Sequence, residues 1–156
     1  MRVQPLLALL TCAGMLVASG TAHSAEPAFL LKSFGQAQAV LEGRQDCRFL
    51  DLWIAVTDEQ RGQGLMYVRE LGEHEGMLFV SPQPAILSMW MRNTYVPLDM
   101  LFIGSDGLVS SIAEKTEPLS EKRVLSKEPV LAVLELNAGF AERHRIKAGD
   151  RLTVFR

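Results

Sequence analysis

The stretch Trp90-Met91-Arg92-Asn93-Thr94-Tyr95-Val96-Pro97-Leu98-Asp99-Met100 gathers an indole, two thioethers, a guanidinium, an amide, a hydroxyl and a carboxylate. The surrounding sequence is dominated by Leu, Val, Phe and Ile. Polar groups set among apolar strand residues need partners or a ligand, because burying one unpaired costs about 1–3 kcal/mol. The stretch is therefore either a structural hydrogen-bond knot or a site. As a site, it offers Trp90, Arg92, Asn93 and Thr94 as the floor of a pocket, with Arg61 as a further cation. An aromatic plane beside amide and acid groups suits a sugar, whereas the guanidinium groups suit an anion.

Asp99 and Glu135 are the catalytic candidates, each the lone acid of an apolar strand. Two carboxyl groups about 5–9.5 Å apart can cleave a glycosidic bond by general acid–base or nucleophilic chemistry. The structural alternative pairs Asp99 with Arg92 or Arg61 and gives Glu135 backbone amides as partners. Other chemistries fit less well. Met66, Met77, Met89, Met91 and Met100 carry soft sulfur ligands suited to Cu(I), but their apolar settings read as ordinary core filling. His74 and His144 fall in polar, exposed-looking segments with no HxH or HxxxH spacing, so no metal site is expected. A hydroxyl nucleophile near Thr94 lacks a neighbouring histidine base.

Met1-Arg2-Val3 opens with a positive charge, Leu6 to Ala18 is an apolar run, and Gly20 to Ala25 is small and polar. Residues 1–25 therefore read as a secretory signal peptide, cut after Ala22 or Ser24. The run is too short for a spanning helix, which needs about 20 residues. Cleavage removes Arg2 and no acid, taking the net charge from −2 to −3. A chain of that charge has no broad nucleic-acid footprint. Cys47 would be the one cysteine left, so a chain without an internal disulfide is expected. A periplasmic or secreted location also removes ready pools of ATP and nicotinamide cofactors, and neither a Walker loop nor GxGxxG is present. No cofactor is expected; hydrolysis, metal handling or plain binding of a small molecule or glycan by a monomer remains.

The positioning elements are short. Residues 26–46 read as a lead-in and first strand around Gln38–Leu41, and residues 47–156 as one β-rich domain. Cys47–Val56 alternates, with Leu50, Leu52, Ile54 and Val56 on one face. Thr57-Asp58-Glu59-Gln60 is a capping box opening a short helix that Gly62 and Gly64 limit. Further strands are expected over Gly76–Val80, stopped by Ser81-Pro82-Gln83-Pro84, and over Ile86–Tyr95, with Trp90, Arg92 and Thr94 on one face. Leu98–Ile103 and Leu108–Ala113 pair around Gly104-Ser105-Asp106-Gly107. Glu114–Lys127 reads as a long mobile loop, Val130–Leu136 as a strand, and Asn137 as the cap of a helix reaching Arg143. Gly149-Asp150 leads into Arg151–Phe155. Leu50, Leu52, Ile54, Leu78, Leu101, Ile103, Val133, Leu136 and Val154 are the expected core. The class is mostly β (α+β): a small single-domain, barrel-like sheet with two short helices.

Five ordered motifs carry a resemblance: Gln60-Arg61-Gly62-Gln63-Gly64-Leu65-Met66, Gly76-Met77-Leu78-Phe79, Trp90-Met91-Arg92-Asn93-Thr94 with Pro97-Leu98-Asp99, Leu134-Glu135-Leu136-Asn137-Ala138-Gly139, and Ile146-Lys147-Ala148-Gly149-Asp150. Together they resemble the domain of unknown function 192 family over Leu50 to Phe155. A Lys is commoner in that family where this chain has Arg92, which keeps the charge. The family has no agreed activity, so the resemblance implies a fold. The closing helix, Gly-Asp and strand are similar to those of cradle-loop barrels. The functional expectation is an exported small-ligand-binding or accessory module centred on Trp90–Asp99. The alternative is a small periplasmic hydrolase of glycan-type substrates using Asp99 and Glu135.

Overall fold

A computed structural model describes residues 31–43 and 47–155. Cleavage of residues 1–25 concerns a part of the chain outside them. Among the described residues, nine strands and two short helices follow one another: β1 (Gly35–Glu42), β2 (Cys47–Ala55), α1 (Asp58–Gln63), β3 (Glu75–Ala85), β4 (Ser88–Met89), β5 (Leu98–Ile103), β6 (Val109–Thr116), β7 (Val124–Leu125), β8 (Val130–Asn137), α2 (Phe140–His144) and β9 (Arg151–Phe155). Seven strands form one sheet in the order β6-β5-β8-β3-β2-β1-β9, while β4 and β7 pair separately. Only β2 and β3 run parallel, which is why α1 lies between them. Strand β1 is an inner strand, held between β2 and β9.

The sheet curls until its two edges touch. A bridge joins Leu108 to Arg151, and Val109 N–H donates to Asp150 O at 2.8 Å while Leu152 N–H donates to Gly107 O at 2.8 Å. The result is a half-barrel. Its side chains alternate between two apolar layers, as the pleat requires. Leu41, Leu50, Leu52, Leu101, Leu134 and Leu136 fill one layer with Phe140 of α2. Trp53, Met77, Phe79, Leu98, Met100 and Val133 face the other way, under Leu65, Val68, Met91 and Val96. Both faces of the central strands are therefore buried, which explains the near-continuous apolar reading of β5, all six of whose residues are buried.

Thr57 caps α1 as its sequence requires. Gln60 N–H donates to Thr57 Oγ1 at 3.1 Å, and Thr57 N–H donates to Gln60 Oε1 at 3.1 Å. Gly64 then leaves the helix at φ 50°, where an added Cβ would meet the Phe79 ring at 3.0 Å. The strand that follows is longer than Pro82 and Pro84 suggest. Strand β3 reaches Ala85 because the register with β8 shifts between Val80 and Ala85, and the prolines sit in that irregularity without ladder bonds.

Several expectations are corrected. Ile86–Tyr95 is not one strand: only Ser88–Met89 pairs, and the chain then turns, with Thr94 N–H donating to Met91 O at 3.1 Å and Asn93 at φ 56°. Strand alternation therefore does not set its faces. Glu114–Lys127 is partly ordered in strands, since β6 extends to Thr116 and β7 pairs with β4. Asn137 does not cap α2. Val154 is 42 % exposed on the outer strand β9, where Leu152 is the buried residue. Ile54 is half-buried against the core, and the other seven expected core residues are buried. Cys47 is disulfide-bonded in the full-length chain, with its partner outside the described residues; the expectation of no internal disulfide concerns the chain after residues 1–25 are removed and is not overturned by this.

Candidate functional site

Strand register decides what the two acidic candidates do. Across β3, β8 and β5, Met77 pairs with Glu135 and Glu135 with Met100, so the three side chains form one row on one face. Asp99 pairs with Leu136, one residue further along, and so projects from the opposite face. Gly76 lets β3 approach β8 at this point, since an added Cβ would stand 2.6 Å from the Glu135 carbonyl oxygen.

Asp99 is fully buried and fully engaged. Its Oδ1 accepts from Lys115 N–H at 2.8 Å and Gly139 N–H at 3.1 Å, and its Oδ2 accepts from Ala141 N–H at 2.9 Å. It thus caps α2 from a distance, in the role expected of Asn137. The Asn137 amide instead donates to the carbonyls of Leu71 and Gly72 at 2.8 and 2.9 Å. Neither Arg92 nor Arg61 pairs with Asp99.

Glu135 is the opposite case. It is 4 % exposed, and no described residue donates a hydrogen bond to its carboxyl. Burial alone pushes its pKa from the usual 4.5 up to about 8. A carboxyl so placed holds its proton at neutral pH. It lines a small cavity of about 50 Å³, enough for three or four water-sized groups. Leu65, Met66, Phe79 and Met89 supply the apolar walls, and Arg61, Gln63, Ser88, Trp90, Arg92 and Thr94 the polar ones.

Trp90, Arg92, Thr94 and Arg61 are therefore brought together with Glu135; Asn93 and Asp99 are not. The Asn93 amide donates to Tyr67 Oη at 3.2 Å and lies near Met66 Sδ at 3.8 Å. Arg61 braces the frame: it donates to the carbonyls of Val56 and Val80 and pairs with Asp58. Two guanidinium groups stack on the Trp90 ring, Arg92 at 4.1 Å and Arg123 at 4.0 Å from its centre. That arrangement leaves little ring face for a sugar. Arg123 escaped the sequence reading because it lies just before β7, distant in sequence and in a segment read as loop. The cavity wall Gln63-Gly64-Leu65-Met66 was visible as a glycine-spaced motif without an evident role.

His74 and His144 are half-buried rather than exposed, packed about Phe140, with Arg48 Nε donating to His144 Nδ1 at 2.8 Å. His74 Nδ1 and His144 Nε2 are buried without a partner among the described residues. The Arg48 bond uses the His144 Nδ1 lone pair, so Nε2 carries the proton of the neutral ring and is no metal ligand.

The DUF192 profile, described as an uncharacterised conserved group, matches residues 31–154. The chain belongs to the DUF192 family. This DUF192 chain is also similar to two solved structures. One, a candidate transcription regulator from Sinorhizobium meliloti 1021, is 43 % identical at a TM-score of 0.76, over 78 % of this chain and 95 % of that one. The other, a protein of unknown function from Novosphingobium aromaticivorans DSM 12444, is 37 % identical at a TM-score of 0.74, over 76 % of this chain and 84 % of that one. No curated protein matches. No helix among the described residues is long and apolar enough to cross a membrane.

Proposed function

We propose that this DUF192 domain is an exported small-ligand-binding module whose site is the cavity closed by Glu135. One observation carries the reading: a carboxyl group on a residue 4 % exposed, in a row with Met77 and Met100, to which no described residue donates a hydrogen bond and which lines the cavity. Burying such a group unpaired costs stability, and a ligand that supplies the missing partner recovers that cost. The signal-like N-terminus supports export.

The hydrolase reading loses its second acid. Asp99 projects from the other face of the sheet with its oxygens taken by three backbone amides, so the two carboxyl groups cannot flank one bond. A DNA-binding reading, suggested by the name of the Sinorhizobium chain, finds little support. The helices of six and five residues are short for a groove-reading element, and the chain carries net charge −2.

Amide chemical-shift mapping tests the proposal, with a fragment set covering amines, carboxylates, alcohols and saccharides. Shifts confined to residues 63–66, 88–94 and 134–136, lost in Glu135→Leu, are the expected outcome. Saturating concentrations of every class without a shift there would refute a ligand site.

A further inference from the structure

We propose that the cavity takes a primary ammonium group, carried by a small molecule whose other end is anionic and rests against Arg92. This rests on the reading of the cavity as a ligand site and names the class of ligand it would hold.

The Glu135 carboxyl has apolar surroundings within the sheet. Its cross-strand neighbours are Met77 and Met100, both 0 % exposed, so neither side of the row offers it a hydrogen-bond donor or a charge. Of the cations that line the cavity, Arg61 from α1 donates to the Val56 and Val80 carbonyls and to Asp58, and makes no bond to Glu135. Arg92, from the turn after β4, has its guanidinium over the Trp90 ring. No cation among the described residues pairs with Glu135, so a positive partner for this acid would come from outside.

The mouth has the reverse character. Arg92, which lines the cavity, is exposed and held 4.1 Å from the Trp90 ring, and the exposed Arg123 lies 4.0 Å from the same ring. A simple amine would meet the positive charge of Arg92 on its way in, and a simple anion would leave the floor unanswered. A molecule with an ammonium at one end and a carboxylate or phosphate at the other satisfies both. Size agrees: about 50 Å³ admits an aminoethyl end and leaves the anionic group at the rim. Binding then moves one proton. The carboxyl gives its proton to solvent, the ligand keeps its own, and the complex holds carboxylate against ammonium.

Titration calorimetry on the purified protein at pH 7, in two buffers of different ionisation enthalpy, tests this. The probes are β-alanine and 4-aminobutanoate, with propanoate lacking the ammonium and ethylamine lacking the anion. The expected result is that one of the two amino acids binds at least tenfold more tightly than propanoate and ethylamine, with close to one proton released per molecule bound. Glu135→Gln should abolish both the preference and the proton release, and Arg92→Ala should bring that amino acid down to the level of ethylamine. Propanoate binding as tightly as β-alanine, or binding without proton release, would overturn the ammonium assignment. If alcohols or saccharides shift the cavity resonances while all four of these probes fail, the ligand class falls and the site stands. If no class does, both fall.

Discussion

Asp99 and Glu135 sit on neighbouring antiparallel strands one register step apart, and their carboxyl groups point to opposite sides of the sheet. The two environments are correspondingly unlike. One carboxylate is held by three backbone amides and organises a helix; the other has no partner and closes a cavity. Their consequences for stability therefore have opposite signs.

Replacing Glu135 should stabilise the protein, increasingly so as pH rises. Its folded-state pKa of about 8 lies above the ordinary 4.5. The unfolded chain thus gives up this proton through a pH range in which the folded chain keeps it. Stability from the protonated carboxyl is complete below pH 4.5 and is lost towards pH 8, at about 1.4 kcal/mol per pH unit. Urea melts of Glu135→Gln at pH 5 and pH 8 should show a gain over the parent that is larger at pH 8 by a few kcal/mol. An equal effect at both pH values would contradict the account.

Replacing Asp99 should do the reverse. Asp99→Ala leaves three backbone N–H groups without their acceptor and should cost about 3 kcal/mol or more. Asp99→Asn keeps one carbonyl oxygen and should cost less, about 1–3 kcal/mol. Any loss of binding in these variants should follow their loss of stability, measured by comparing chemical-shift mapping with denaturant midpoints.

How much of this was legible in the sequence follows from the kind of interaction involved. The Thr57–Gln60 capping box and the hairpin at Gly104–Gly107 depend on neighbours three residues apart, and both form as their residues require. The β-rich half-barrel followed from short alternating strands. The facing of Asp99 and Glu135 depends on a register between strands 36 residues apart, which no local pattern encodes. The turn at Trp90–Thr94 was misread as a strand because alternation of Trp, Arg and Thr imitates a pleat. Tertiary bonds decide otherwise there: Tyr67 N–H donates to Asn93 O at 2.8 Å and Met91 N–H to Ser120 O at 2.9 Å.

His144 makes the lower end of the pH range unfavourable. Burial first, and then the charges of Arg48, Arg143 and His74, hold its pKa below the usual 6.5. A group with a depressed basic pKa resists protonation in the folded state, so stability falls as pH drops below 6.5. His144→Gln should flatten this dependence between pH 6.5 and pH 5 in thermal melts; an unchanged slope would remove His144 from the explanation.

Arg123 should matter more to ligands than to folding. Its exposed contact with the Trp90 ring is worth about 0.5–1 kcal/mol, so Arg123→Ala should melt within a few degrees of the parent. Trp90 fluorescence should change nevertheless, because a guanidinium leaves its ring, and an emission spectrum identical to the parent's would contradict the stacked arrangement.

The central claim is that the Glu135 carboxyl is buried without a partner beside a cavity that opens to solvent. Carbon-13 NMR titration of the labelled glutamate side chains reads this directly, with Glu135→Gln assigning the resonance. The account predicts one glutamate carboxyl titrating near pH 8, moving to lower pH when a ligand occupies the cavity. A Glu135 resonance titrating below pH 5 in the free protein would show that the carboxylate already has its partner, and would contradict the account.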